Sequence, residues 1–376
     1  MKKSVLPFIF LLFSSLYLKA QTPLAKNVNI LIPAAIQLKV FNALDTLLTH
    51  IGQGSLDPNE IEHNGSSLSM SIFKWFKGVE NNGKEKELHF YKPQIINLFP
   101  VDKNQYYVSV AFINNNALRA IINVIADVSD NKITFSIPVY YLTRNWRTVK
   151  TGTITYHYCD YINLKRAKKF NQKNILIAKK LGLEPEKLDF YLCDNYQQIL
   201  NLLGCAYDSE SAGITNDGLG VDEGTIFSIM HNEDFSHDLF HYYAAKVRKN
   251  TRNSAAEEGV AYSWGNAYYT DQNGDMITQS QLVTVLKDYL QQHPGVSLLE
   301  LFQKNPFIFY SQTKVRSLIS SLICDEVERK KGSEGIKTLI DCGSGDDNYF
   351  ASVNNLIGIN PGNFNTRVMN LLIEYK

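Results

Sequence analysis

Apolar residues recur at helical spacing in 36–51, IQLKVFNALDTLLTHI, where Phe41, Leu44, Leu48 and Ile51 share one face. A polar, turn-rich stretch follows over 52–87. The pattern then becomes β-like at 106–113, 120–129 and 132–142, with Asp130 and Asn131 placed as a hairpin turn between the last two runs. Near residue 150 the order changes to alternating strand and helix. A strand is predicted at 151–158, a helix at 166–182 closed by Gly182, and a strand at 188–193. Asp194 is placed as the cap of a helix over 195–204, with Gln197 three positions on and Gly204 as its stop. A glycine-rich turn spans 213–224 and a strand 225–230. Helices are expected from about Asp234 to Lys249 and over 254–265. Beyond 278 nearly everything reads as helix: 278–291, 312–330, 334–341, 347–356 and 364–375.

This order predicts an α+β protein. A helix-plus-antiparallel-sheet domain occupies 21–149, and a second domain of small sheet, helix and closing helical lobe occupies 150–376. A helix followed by a meander of long strands is loosely similar to the nuclear-transport-factor-2-like cone folds. A plain antiparallel sheet with one helix fits the same order.

Residues 1–20 read as a secretory signal: Lys2 and Lys3, then the apolar run VLPFIFLLFSSLYL, then Ala20 with cleavage before Gln21. The run is short for a bilayer span and holds Pro7, so export to the periplasm or beyond is expected rather than anchoring. No second run is long enough to cross a membrane. Apolar residues at 44% and charged residues at 20% suit a buried core. With 38 Lys and Arg against 37 Asp and Glu, nothing marks a nucleic-acid or anionic-membrane partner. Export permits disulfides, and Cys193–Cys205 and Cys324–Cys342 are the plausible pairs; Cys159 is left over. No CxxC spacing points to cysteine ligation of a metal.

The chemistry concentrates in HNEDFSHDLFHYY, 231–243. On a helix, His237 and His241 stand one turn apart on one face and can bind one cation. A third ligand must come from elsewhere. SAAEEGVAYSWG, 254–265, offers Glu258 directly before Gly259, with Glu257 as the alternative. A pair of histidines at this spacing also arises by chance on ordinary amphipathic helices, so the downstream carboxylates carry much of the signal. The acidic loop 341–349 lacks an EF-hand's spacing and terminal glutamate, GITNDGLG at 213–220 is too irregular for a phosphate loop, and no nucleophile elbow is present.

With HDLFH at 237–241 and EEGVA at 257–261, the run from about 150 to the C-terminus resembles the gluzincin metallopeptidases, specifically the peptidase-MA-like group. The resemblance implies a thermolysin-like domain and a Zn2+ ion on His237, His241 and Glu258. It implies a peptide or protein substrate, paired along the strand at 225–230 as an edge. It also places the general base at Asp238, where the family has glutamate. Aspartate has the right chemistry but is one methylene shorter, a retreat of roughly 1.5 Å. The sequence therefore leaves two readings open: a working hydrolase with an unusual base, or a catalytically impaired relative acting as a binding module. A third reading, a coincidental histidine pair on an exported scaffold protein, also stands. Tyr262, Tyr268, Tyr269 and Tyr310 are candidates to stabilise an oxyanion, with nothing in the sequence to choose among them.

Overall fold

The computed structural model describes residues 25–26, 32–62, 66–83, 88–129, 132–211, 213–214, 218–229, 232–267, 277–309 and 313–375. The expected signal and the turn at Asp130 and Asn131 lie outside them. In chain order the first elements are β1 (Ala25–Lys26), α1 (Ala34–Gln53), α2 (Ser66–Trp75), β2 (Lys92–Pro100), β3 (Gln105–Asn114), β4 (Ala117–Asp127), β5 (Thr134–Ser136) and α3 (Val139–Leu142). Then come β6 (Arg147–Thr151), β7 (Ile154–Tyr158), α4 (Leu164–Leu181), β8 (Leu188–Leu192), α5 (Tyr196–Leu202), β9 (Cys205–Asp208), β10 (Gly218–Asp222) and β11 (Thr225–Ser228). The rest is helical: α6 (Ser236–Val247), α7 (Ser254–Val260), α8 (Gln279–Gln292), α9 (Leu298–Lys304), α10 (Val315–Ile340), α11 (Asp346–Ile357) and α12 (Phe364–Glu374).

The α+β class is as expected. One sheet runs β1-β2-β3-β4-β5, and the other runs β10-β11-β8-β7-β6. α1 buries Val40, Leu44, Leu47, Leu48 and Ile51 at helical spacing on the first sheet and ends at Gly54, whose φ of 73° suits glycine. The run at 132–142 is not one strand. Pro138 lacks an amide and has a helical φ, so β5 stops at Ser136 and α3 begins.

In the second sheet, β7, β8 and β11 are parallel, with hairpin strands β6 and β10 antiparallel at the two edges. α4 makes the crossover from β7 to β8. It buries Ala167, Phe170, Ile177, Ala178 and Leu181 against a core that includes Tyr156, Phe190 and Ile226. Asn163 caps it by accepting from the Arg166 amide, and Gly182 closes it in the left-handed region. α5 is capped by Asn195 rather than Asp194: the Asn195 side chain accepts from the Gln198 amide. β9 then leaves the second sheet and pairs antiparallel with β4, Ile122 opposite Cys205. Tyr191, Leu202 and Phe227 pack into the first sheet's core, so the two halves share side chains.

Neither expected disulfide forms; all five cysteines are free. Cys193 is buried at the end of β8, whereas Cys205 opens β9 on the other sheet. Cys324 directs its thiol at the Ala256 carbonyl, and Cys342 directs its own at the Gly343 carbonyl. No helix among the described residues is long and apolar enough to cross a membrane.

Candidate metal centre

The site is assembled where α6 and α7 meet between the second sheet and the helical lobe. Two side-chain-to-backbone turns set the start of α6. The Asn232 side chain accepts from the Asp234 amide, and the Asp234 side chain accepts from the Ser236 amide. Lys173 of α4 donates to Asp234 Oδ2 at 2.9 Å, Ser236 Oγ at 3.1 Å and the Gly265 carbonyl at 3.0 Å. Glu233, fully buried, takes the Arg166 Nε and the Asn163 amide, both at 2.7 Å. Two cations of α4 thus fix the loop that aims His237.

α7 is fixed from its other side. Asn253 caps it, accepting from the Ala256 amide, and donates to the carbonyls of Gly343 and Gly345. Gly259 explains itself in contact terms. A Cβ there would lie 2.7 Å from Ser320 Cβ and 2.9 Å from Cys324 Sγ, so only glycine lets α10 lie against α7 at this level. A π-helical turn, Ala261–Gly265, then brings the chain back over α6.

His237 Nε2 and His241 Nε2 are 3.2 Å apart. Glu258 Oε2 is 3.6 Å from the first, and Glu258 Oε1 is 3.4 Å from the second. One donor atom from each of the three lies within 4.8 Å of the others. The outer nitrogens decide what the inner ones carry. His237 Nδ1 faces the Asn266 carbonyl at 3.1 Å, and His241 Nδ1 faces Glu257 Oε2 at 3.2 Å. Both partners only accept, so each Nδ1 bears a proton, and in the neutral ring that leaves Nε2 as the inward-facing donor atom. Two imidazole nitrogens and a carboxylate converging at these distances could hold a divalent cation.

Without an ion, the neighbouring carboxylates favour the charged form of His241, so a metal would displace a proton from it. Burial opposes charge on His241, but hydrogen bonds to Glu257 and Glu258 outweigh it and raise its pKa. Burial likewise works against charge on Glu258, yet the two histidines hold its carboxyl far below the usual carboxylate range. Glu257, fully buried, is not a ligand: its oxygens are taken by Arg248 Nη1 at 2.6 Å, Arg252 Nε at 3.0 Å and His241.

Asp238 is half-buried and points at the edge strand, since a Cβ on Gly220 would sit 3.9 Å from its Cβ and Cγ. Among the described residues it makes no hydrogen bond. Burial raises its pKa, partly offset by the charge of His237 and His241. The edge strand is not the run at 225–230: β11 lies between β10 and β8, and β10 is outermost. Tyr262 is buried, with its hydroxyl accepting from the Lys314 amide and its ring 5.7 Å from that of His237, a packing role. Tyr268, Tyr269 and Tyr310 lie outside the described residues.

Sequence reasoning places His237, His241, Glu258 and Asp238 in one site, and the structure brings the first three within ligating reach. It does not foresee Lys173, the Asn266 carbonyl, or the pair Arg248 and Arg252. Two arginines four apart before Glu257 and Glu258 are the one signal that could have suggested a charge network; a backbone carbonyl leaves none. No protein-family model matches the chain, and a search of curated proteins finds no match.

Proposed function

We propose that the chain is a zinc-dependent hydrolase acting on peptides or proteins, with His237, His241 and Glu258 as ligands and Asp238 as general base. The observation that carries this reading is the convergence of one ligand atom from each of His237, His241 and Glu258 within 4.8 Å, each imidazole held from behind by an acceptor. Nitrogen and carboxylate donors in this number suit zinc with one coordination position left for chemistry. When bound, the ion supplies a Lewis acid that polarises water and a carbonyl. Asp238, with its raised pKa and unengaged carboxylate, is suited to accept a proton from attacking water and to pass it to the leaving amine. β10 has one side paired to β11, and an extended peptide adding to its other side would run past Asp238 at Gly220. The leader-like first twenty residues make export part of the same reading.

A second reading is a binding protein that retains the metal and holds a peptide without cleaving it. It is favoured by the shorter aspartate, since a misplacement of about 1 Å can cost on the order of a hundredfold in rate. Elemental analysis of protein purified without chelators tests the centre. About one zinc per chain is expected, lost in both His237→Ala and Glu258→Ala. Mass-spectrometric digestion of a peptide library then separates the readings: cleavage that disappears in Asp238→Asn supports the hydrolase. Metal without cleavage, in both wild type and Asp238→Glu, supports the binding protein.

A further inference from the structure

Arg252 enters the centre from the segment joining α6 to α7. Its Nη2 lies 2.6 Å from Glu258 Oε1 and 3.4 and 3.5 Å from the two ring nitrogens of His241. Its side chain is 42% exposed, at the open side of a cluster whose Glu257 is fully buried. A guanidinium has donors only, and His241 Nδ1 already carries its proton toward Glu257. The partner it holds firmly is therefore the Glu258 oxygen that also faces His241 Nε2.

Glu257 accounts for only part of this placement, although Arg252 Nε also lies 3.0 Å from Glu257 Oε2. Arg248 takes one of its oxygens at 2.6 Å and His241 Nδ1 takes the other at 3.2 Å, so it is paired without Arg252. Glu258 is different. Its remaining neighbours are the two imidazoles, 3.4 and 3.6 Å away, and a permanent cation lies closer than either, at 2.6 Å. Arg252 supplies that cation, which cannot be titrated away.

Resting on the metal reading above, we propose that Arg252 is a built-in competitor of the metal: it neutralises Glu258 when no ion is bound and repels the ion when one is. The site then binds zinc less tightly than its three ligands allow, and exchanges it readily. Glu258 serves through Oε2 while Oε1 stays on the arginine, a one-oxygen ligand by construction.

The test is competition titration of the full chain with a chromophoric zinc chelator, with zinc-dependent thermal melting beside it. Removing the charge in Arg252→Gln is expected to tighten zinc binding by tenfold or more. The zinc-free melting temperature should fall while the zinc-loaded one changes less, so the zinc-induced shift grows. Arg252→Lys, which keeps the charge, is expected within about threefold of wild type. Arg252→Met repeats the measurement should the glutamine variant not accumulate. Unchanged or weaker zinc binding in both uncharged variants overturns the competitor role while leaving the metal centre standing. Failure of the wild type and all variants to bind zinc overturns the metal reading itself, and this inference with it.

Discussion

Replacing Gly259 by alanine sets two effects against each other. On helix propensity alone the change favours α7 by about 1 kcal/mol. Packing has the opposite sign. The new Cβ would stand 2.7 Å from Ser320 Cβ, 2.9 Å from the Ser320 carbonyl carbon and 2.9 Å from Cys324 Sγ. One of those atoms is backbone of α10 and cannot swing aside. Restoring an ordinary carbon–carbon contact of about 3.5 Å requires the two helices to part by about 0.8 Å. Overpacking of this kind costs roughly 1–3 kcal/mol, so the net destabilisation is about 1 kcal/mol after the propensity gain. The functional effect is larger than the stability effect. Glu258 precedes Gly259 and moves with it, and metal ligands tolerate displacements of only about 0.2 Å. Gly259→Ala should therefore lower the urea midpoint modestly and weaken zinc binding by about tenfold or more. A variant with a raised midpoint and wild-type zinc affinity would refute the reasoning, because it would show that propensity wins and that α7 is not gauged by α10.

Glu257→Gln should destabilise the protein by about 3 kcal/mol or less, since it strips the charge partner from Arg248 and Arg252, both of which keep some solvent; an unchanged denaturant midpoint would contradict it. Asp208 gives a pH test away from the site. Burial alone would raise its pKa, but hydrogen bonds from Ser211 Oγ, the Glu210 amide and Arg119 together hold it low. A lowered folded pKa contributes stability that is complete above the ordinary carboxylate value, about 4, and disappears as pH falls through the folded value. Asp208→Asn should therefore be less stable than wild type at pH 7, with the gap closing as pH falls below the ordinary carboxylate value and through the lowered folded one. A gap of constant size from neutral to acid pH would show that the carboxylate is not linked to folding.

The features legible in the sequence are those set by local chemistry. α1 and α4 announce themselves by apolar spacing and by Gly54 and Gly182, which take the left-handed conformation their termini need. His237, His241 and Glu258 are legible because a helix puts positions four apart on one face and because a carboxylate precedes a lone glycine. Where tertiary contact overrides local preference, the sequence misleads. GLGVD reads as a turn yet forms the edge strand β10. Its Gly218 is required because a Cβ would meet the Phe227 carbonyl and the Phe235 ring, both at 2.7 Å. β2 is hidden by a proline near each end and by a register shift between Ile95 and Asn97 that breaks its alternation. α2 is hidden by its serines, one of which, Ser69, is buried and accepts from the Ile137 amide. The gap expected between the helices ending at 330 and starting at 334 is met by Gly332, whose φ of 62° breaks the run Val315–Ile340, and Arg329 and Lys330 pair with Glu326. α9, only seven residues long, carries too short a pattern to register.

Arg252, Lys173 and the Asn266 carbonyl were illegible for a different reason. Lys173 and the Asn266 carbonyl act 92 and 29 residues along the chain from the atoms they hold, on Gly265 and His237, while Arg252 lies six residues from Glu258 but reaches it only across the turn between α6 and α7. No period or motif spans the two longer separations, and only the packing of α4, α6, α7 and the π-turn creates them.

The most direct test of the account is an anomalous difference map at the zinc edge, from crystals of the full chain loaded with zinc. A single peak at about 2.0–2.2 Å from His237 Nε2, His241 Nε2 and one Glu258 oxygen is the predicted result. A peak elsewhere, or none at this cluster while zinc is bound in solution, would contradict it.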